Sequence, residues 1–358
     1  MDQVSVITQM FEALPDEQKQ QFLNAVSAKK APEPESVKPL MEAIMQKKSG
    51  PLPDRPKCPH CGCAEVVKDG HLRGVQRYRC KHCGRTFNLS TNTVRAFSKK
   101  DTEVWQKFCE CMIEKLSIRK CAEICGISTH TAFDWRHKIL DALQNMQSDV
   151  KVDGVAECDE TFFRLSFKGC RHPPRESRHR GGLAKKRGLS EEQVCVPCVV
   201  NLNGLSIGKV TNLGTPRVED LKHVTDGRIE EGSIMVTDSL RAYGKVAADN
   251  NLTHVMIPKN RHTNGGFNIQ TANAYHSELK RLIEHNFKGV ATKYLNNYIV
   301  WHNLVNFSKD PNKLKTLEEF VFSTGCNTRG CKIRCRDPIP VLRKTTYVYQ
   351  LMLQSLIV

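Results

Sequence analysis

Two aspartates and two cysteine pairs are the residues of this 358-residue sequence whose types and spacing carry the most chemistry. Asp159 lies in the strand-like run AECDETFF, and Asp238 ends the apolar run IMVTD. Carboxylates brought side by side from two strands repel each other unless they share cations, and that is the arrangement a two-metal phosphoryl-transfer site requires. Cys58 with Cys61, and Cys80 with Cys83, form two CxxC pairs, with Cys61 and Cys80 19 positions apart. That spacing is the one a zinc ribbon uses: each turn presents two sulfurs to one tetrahedral ion, and a closed four-sulfur set makes the metal structural rather than catalytic. Cys63, His60 and His82 stand close enough to compete as ligands.

A third pattern reads as helical. The run LSIRKCAEICGISTHTAFDW, residues 116–135, fits a helix-turn-helix: Ala122 allows close approach, Gly126 makes the turn and Ser128 caps the second helix. Ala132, Trp135 and Ile139 form that helix's buried face. Thr129, His130, Arg136 and His137 are then the outward candidates for base edges or phosphates in a major groove. Residues 167–187 carry Lys168, Arg171, Arg175, Arg178, Arg180, Lys185, Lys186 and Arg187, a density of like charge that suits a phosphate-binding loop. The DNA-contacting subset expected there is Arg180, Lys185, Lys186 and Arg187.

The surrounding pattern supplies the scaffold. Residues 194–202 and 205–213 read as a hairpin about Asn203 and Gly204, residues 254–257 as a further strand, and residues from about 271 to 287 as a helix. Together these predict a mixed sheet with acidic residues on an early and a later strand. The organisation expected is an N-terminal helix with a proline-rich linker (1–57), a zinc ribbon (58–92), a helix-turn-helix (98–148), an α/β catalytic domain (152–308) and a C-terminal extension (309–358). Cys326, Cys331 and Cys335 in the extension are too unevenly spaced to assign a second zinc.

Composition agrees with a polyanionic partner, since 54 Lys and Arg face 38 Asp and Glu, for a formal charge of +16. No uninterrupted apolar run reaches 18 residues and no export signal opens the chain, so the expectation is a cytoplasmic, nucleoid-associated protein without a membrane partner. Sixteen cysteines grouped partly at metal spacing point to a reducing compartment rather than to a disulfide scaffold.

With these motifs in hand, residues 58–308 resemble the ISXO-like insertion-sequence transposases of bacteria. The paired CxxC motifs, the helix-turn-helix, AECDETFF, VTDSLRAY and the long run from Asn273 to Tyr298 carry the likeness. The resemblance implies a ribonuclease-H-like mixed-sheet domain whose catalytic set is Asp159, Asp238, Asn273 and Lys280. It further implies magnesium or manganese at Asp159, Asp238 and Asn273, binding to double-stranded terminal repeats and target DNA, and a homo-oligomer that pairs two element ends. Asp238 and Asn273 are 35 positions apart, as such enzymes space their second and third site residues. Asn273 and Lys280 are seven residues apart and share one helix face. Glu284 competes for the third place by returning to that face, and a neutral Asn there weakens its metal site. The rival readings are a DNA-binding regulator without chemistry and a metal-dependent nuclease that never joins strands.

Overall fold

The computed structural model describes residues 56–356 apart from 73, 149, 176–187 and 323–325. The N-terminal helix, nearly all of the proline-rich linker, and Arg180, Lys185, Lys186 and Arg187 lie outside the described residues.

The first elements form a small antiparallel sheet of β1 (Val66–Leu72), β2 (Val75–Cys80) and β3 (Thr86–Phe87). Its core consists of Cys58, Val66, Cys80 and Phe87. So little apolar burial does not hold a fold of this size by itself, which is why the sulfurs beneath the hairpin matter.

Three helices follow, α1 (Thr102–Ile113), α2 (Ile118–Cys125) and α3 (Thr129–Gln147). Ser117 accepts the Lys120 N–H to cap α2, and Ser128 accepts the Thr131 N–H at 3.0 Å to cap α3. Between them Gly126 takes the left-handed conformation, φ 58° and ψ 42°, which a residue with a Cβ adopts only at a cost. Ala132, Trp135 and Ile139 are buried as their spacing predicts, with Trp135 stacked on Trp105 at 3.6 Å between centroids.

The main sheet is mixed. Its strands are β4 (Val155–Arg164), β5 (Gln193–Val200), β6 (Ser206–Gly208), β7 (Asn212–Leu213), β8 (Ile234–Thr237) and β9 (Thr253–Met256), ordered β6-β5-β4-β8-β9 with β7 also on β5. Strands β4 to β7 pair antiparallel, whereas β8 joins β4 in parallel and β9 joins β8 in parallel. Parallel neighbours need crossovers, and α4 (Val218–Thr225) and α5 (Ala242–Asp249) supply them. The expected β5 turn forms about Gly204, at φ 87°. An antiparallel half feeding a parallel half in this order is consistent with a ribonuclease-H-like sheet.

One face of the sheet is covered by α6 (Gln270–Lys280), a π-turn (Arg281–Asn286), α7 (Leu295–His302) and a second π-turn (Asn303–Phe307). Gly208 permits this close packing: a Cβ there would lie 3.1 Å from both Ile299 Cγ2 and the Tyr275 hydroxyl. The helix expected over 271–287 thus exists, but its α-helical part stops at Lys280. A π-turn advances the side chains by a narrower angular step than an α-helix, so the phase relating Glu284 to the Asn273 face shifts over these residues.

The tail adds α8 (Lys313–Phe322), α9 (Gly330–Arg334) and α10 (Thr346–Leu356). One hydrophobic core runs from Val94 through the helices and the sheet to Leu351. The segments 98–148, 152–308 and 309–358, separable in the sequence, therefore share packing. Trp301 Nε1 donates to the Met112 carbonyl at 3.1 Å, joining α7 to α1. Among the described residues no helix is long and apolar enough to cross a membrane.

Candidate active site

The register of β4 and β8 brings the two aspartates together. Cys158 pairs with Thr237 at the last rung of the parallel ladder, so Asp159 and Asp238 follow side by side where β8 ends. Each carboxylate is oriented by its own backbone: Asp159 Oδ1 accepts the Glu160 N–H and Asp238 Oδ1 accepts the Leu240 N–H, both at 2.9 Å.

Helix α6 is set over this pair by Glu157. That buried carboxylate accepts the Thr271 hydroxyl at 2.6 Å and the Ala272 N–H at 2.9 Å, fixing the positive end of the helix to the sheet. Asp159 is two residues further along the same strand face, about 6.5 Å away. Four residues along α6 advance about 6 Å. The two steps nearly match, and they place His276 against Asp159, with His276 Nδ1 3.6 Å from Asp159 Oδ2. Lys280, one turn beyond and exposed, is close enough to pull the Asp159 carboxyl downward. Asn273, one turn before His276, is also exposed. Lys280 and Asn273 thus share the face on which His276 sits.

The electrostatics show a charge deficit. Burial pushes the Asp159 carboxyl up to about 6, the neighbouring Asp238 adds to this, and the Glu160 N–H and Lys280 oppose it. Burial likewise pushes Glu160 up to about 7. His276 is held down to about 4 by burial and by Lys280, so it is neutral at pH 7. Carboxyls that resist ionisation beside one another and beside a neutral imidazole are what a site completed by cations looks like without them. Neighbouring carboxylate oxygens from Asp159 and Asp238 are the donor type that a divalent metal such as magnesium takes.

These shifts give a prediction for metal-free protein. In an unfolded chain Asp159 and Glu160 ionise near their usual 3.8 and 4.5, but in the fold they stay protonated to about 6 and 7. The folded state binds more protons in that window, so its stability falls as pH rises from about 4 to about 7. Thermal melts without divalent metal should show this decline, and Asp159→Asn should flatten it.

The sulfur site is equally explicit. The ligand atoms of Cys58, Cys61, Cys80 and Cys83 lie within 4.8 Å of one another, and among the described residues they form the one cluster of three or more His, Cys, Asp or Glu able to hold a metal. Cys63 is not in this set; its sulfur instead accepts the Glu65 N–H. The Cys80 thiol is pulled down to about 6, led by its bond from the Cys83 N–H. Cys61, despite a lowering bond from Cys63, is pushed to about 12 by desolvation and by bonds to the other three thiols. Four sulfurs packed this closely compete for protons, and the cluster fits zinc, which would bind them as thiolates.

Two of the expected groove contacts are corrected. Thr129 and His130 are exposed, but Arg136 and His137 are buried, at 0 % and 1 % exposure. The cause is that α3 packs on two sides, against α1 and α2 and also against α7. Arg136 donates to the Leu116 carbonyl at 2.6 Å and lies over the Trp301 ring at 4.7 Å. His137 sits between Phe133 and Tyr294, and burial, then the nearby Arg336, hold it down to about 3. A third exposed flank of α3 is bridged by the tail: Arg334 grips both oxygens of Asp134 at 2.6 and 2.7 Å, and Arg336 both of Asp141 at 2.5 and 2.6 Å.

Part of the basic segment is also committed to the fold. Lys168 Nζ donates to the carbonyls of Phe287, Lys288 and Gly289, and Arg175 donates to the Leu165 carbonyl. Arg171 remains exposed.

Sequence reasoning missed His276. The available signal was position: it falls three residues after Asn273 and four before Lys280, on the face those two define.

Comparison with known proteins bears on the class of protein. Residues 151–301 match the model of the ISXO2-like transposase domain, a span that includes Asp159, Asp238, Asn273, His276 and Lys280. The chain is also 27 % identical over 245 residues to an uncharacterised protein in transposable element ISH50 of Halobacterium salinarum, covering 68 % of this chain and 82 % of that one. Residues 151–301 are thus similar to the ISXO2-like transposase domain, and the chain as a whole is similar to a protein of a transposable element.

Proposed function

We propose that this protein cuts and rejoins DNA strands at the ends of its insertion sequence. The observation that carries the reading is the placing of Asp159, midway along β4, beside Asp238, just past the end of β8, with Lys280 on the helix near them. Magnesium or manganese held by Asp159 and Asp238, with Asn273 completing one shell, would activate the attacking hydroxyl and neutralise charge on the leaving oxygen. Within this frame Lys280 holds a phosphate of the DNA backbone beside the aspartates, and the rigid ladder fixes the attack geometry. Water attacks in the cleavage step, and the freed DNA 3′-hydroxyl attacks in the joining step. Thr129 and His130, at the exposed start of α3, are the proposed groove contacts, and Arg180, Lys185, Lys186 and Arg187 the proposed phosphate contacts. Zinc at the four cysteines holds the ribbon in shape. Two element ends held at once imply a homo-oligomer on DNA.

The test is an assay of purified protein on labelled duplex carrying the element's terminal repeats, with manganese, scoring both nicks and joined products. Nicks and joined strands support the reading. Binding without nicking assigns the chain to a regulatory role, and nicking without joining assigns it to a nuclease.

A further inference from the structure

We infer that Phe97 is a wedge that inserts between stacked base pairs of the bound DNA. The inference rests on the proposed binding to duplex DNA and adds an uncharged contact to it.

Phe97 is unusual in both side chain and backbone. Its ring is 86 % exposed, the most exposed of the large hydrophobic side chains among the described residues. Its φ is 64°, and the other described non-glycine residues at positive φ, Asn92, Lys115, Asn251 and Lys288, are all polar. Bulky side chains avoid that region, and a phenyl ring facing water gains nothing from burial, so neither feature stabilises the free protein. The fold nevertheless imposes both. Val94 and Ala96 are buried on one side of Phe97. On the other, the Ser98 N–H donates to the Arg95 carbonyl at 2.9 Å, and Ser98 Oγ accepts the Trp105 indole N–H at 3.1 Å. Arg95 itself lies over the Phe322 ring, 4.8 Å from its centroid. A turn anchored on both flanks holds the ring out in one position, and such preorganisation favours a binding contact.

The surroundings select the partner. Lys99 and Lys100 follow the ring closely and are exposed, while the nearest acidic residue in sequence, Asp101, acts on Arg95. Lys100 Nζ donates to the Gly126 carbonyl at 3.4 Å, which sets this turn beside the one leading into α3, where Thr129 and His130 are the proposed groove contacts. An exposed aromatic ring next to ammonium groups, in a chain of formal charge +16, matches stacked bases framed by phosphates. A protein partner would instead call for an apolar core with charge kept to its rim, and the exposed neighbours of this ring are lysines.

The experiment measures binding of the full chain to duplexes carrying the element's terminal repeats, each with a single 2-aminopurine at a different position. Wild type should change the fluorescence at one position or at two neighbouring ones, where the stack is opened. Phe97→Gly should remove that local change and weaken binding about tenfold or more. It should do so without lowering the melting temperature, because glycine takes positive φ at no steric cost. The salt dependence of affinity should stay as in wild type, since the lost contact carries no charge. Phe97→Trp should restore binding. Should Phe97→Gly fail to fold, Phe97→Asn, which tolerates the same φ without a ring, gives the same reading. Binding by wild type without a local fluorescence change, and at unaltered affinity in Phe97→Gly, overturns the inference and leaves the DNA reading standing. Absence of any binding to the repeat duplexes by wild type overturns both. A lower oligomeric state of DNA-free Phe97→Gly in sedimentation, with duplex binding intact, shows that the ring docks on a second copy and overturns the inference.

Discussion

Asp159→Asn and Asp238→Asn are each expected to lower DNA strand cleavage on the order of a thousandfold while leaving DNA binding within a few-fold of wild type. The substitution keeps shape and removes charge. Asp159 lies within β4 and Asp238 just past β8, each with one oxygen held by a backbone N–H at 2.9 Å, so an amide oxygen can keep that bond and the local fold is preserved. What disappears is half of the anionic pair that calls for cations. Asp159→Asn should also raise the stability of metal-free protein near pH 7, because it removes a charge that the fold resists up to about pH 6. Loss of turnover with a gain in melting temperature separates a removed metal ligand from a damaged fold. Loss of both would show that Asp159 acts structurally.

The second large effect concerns the sulfur site. Chelation of zinc, or Cys80→Ser, should unfold residues 58–87 while the main sheet and helices melt as before. The small sheet has its own core of four buried residues, and the main core begins at Val94. Structural zinc contributes about 10–16 kcal/mol of apparent binding energy in zinc-finger peptides, more than Val66 and Phe87, the two core residues that are not cysteines, supply at about 1.5–3 kcal/mol each. One zinc per chain by elemental analysis, and new protease cuts within 58–87 after chelation, are the measurements that check this. A ribbon that resists proteolysis without metal would mean that protein packing holds it instead.

The elements that were legible in the sequence are those whose signal is local. Four cysteines at fixed spacing, an apolar strand ending in Asp238, and serines three residues before the N–H groups they cap all declare themselves within a few positions. Arg136 and His137 were misplaced because a helical wheel shows one buried stripe, and α3 has two. The second is created by α7, some 160 residues further on, where Asn297 approaches His137. His276 escaped notice for a related reason: a histidine between two marked residues becomes a site residue only once a strand carboxylate is placed beneath it. The early end of α6 was equally hidden, since no proline or glycine interrupts the run and the change to a π-turn arises from packing.

The Glu157 anchor has a consequence for how this sequence can vary. Strand and helix act here as two rulers with almost equal graduations, pinned at a common zero by one carboxylate. Inserting a single residue between Ala272 and His276 would swing everything beyond it by about 100° and carry both the imidazole and the Lys280 ammonium off the aspartates. The same insertion beyond Asn286 would leave the alignment untouched. Length is thus frozen over a stretch of only a few residues, and the freedom to lengthen or shorten the chain begins where the π-turn ends.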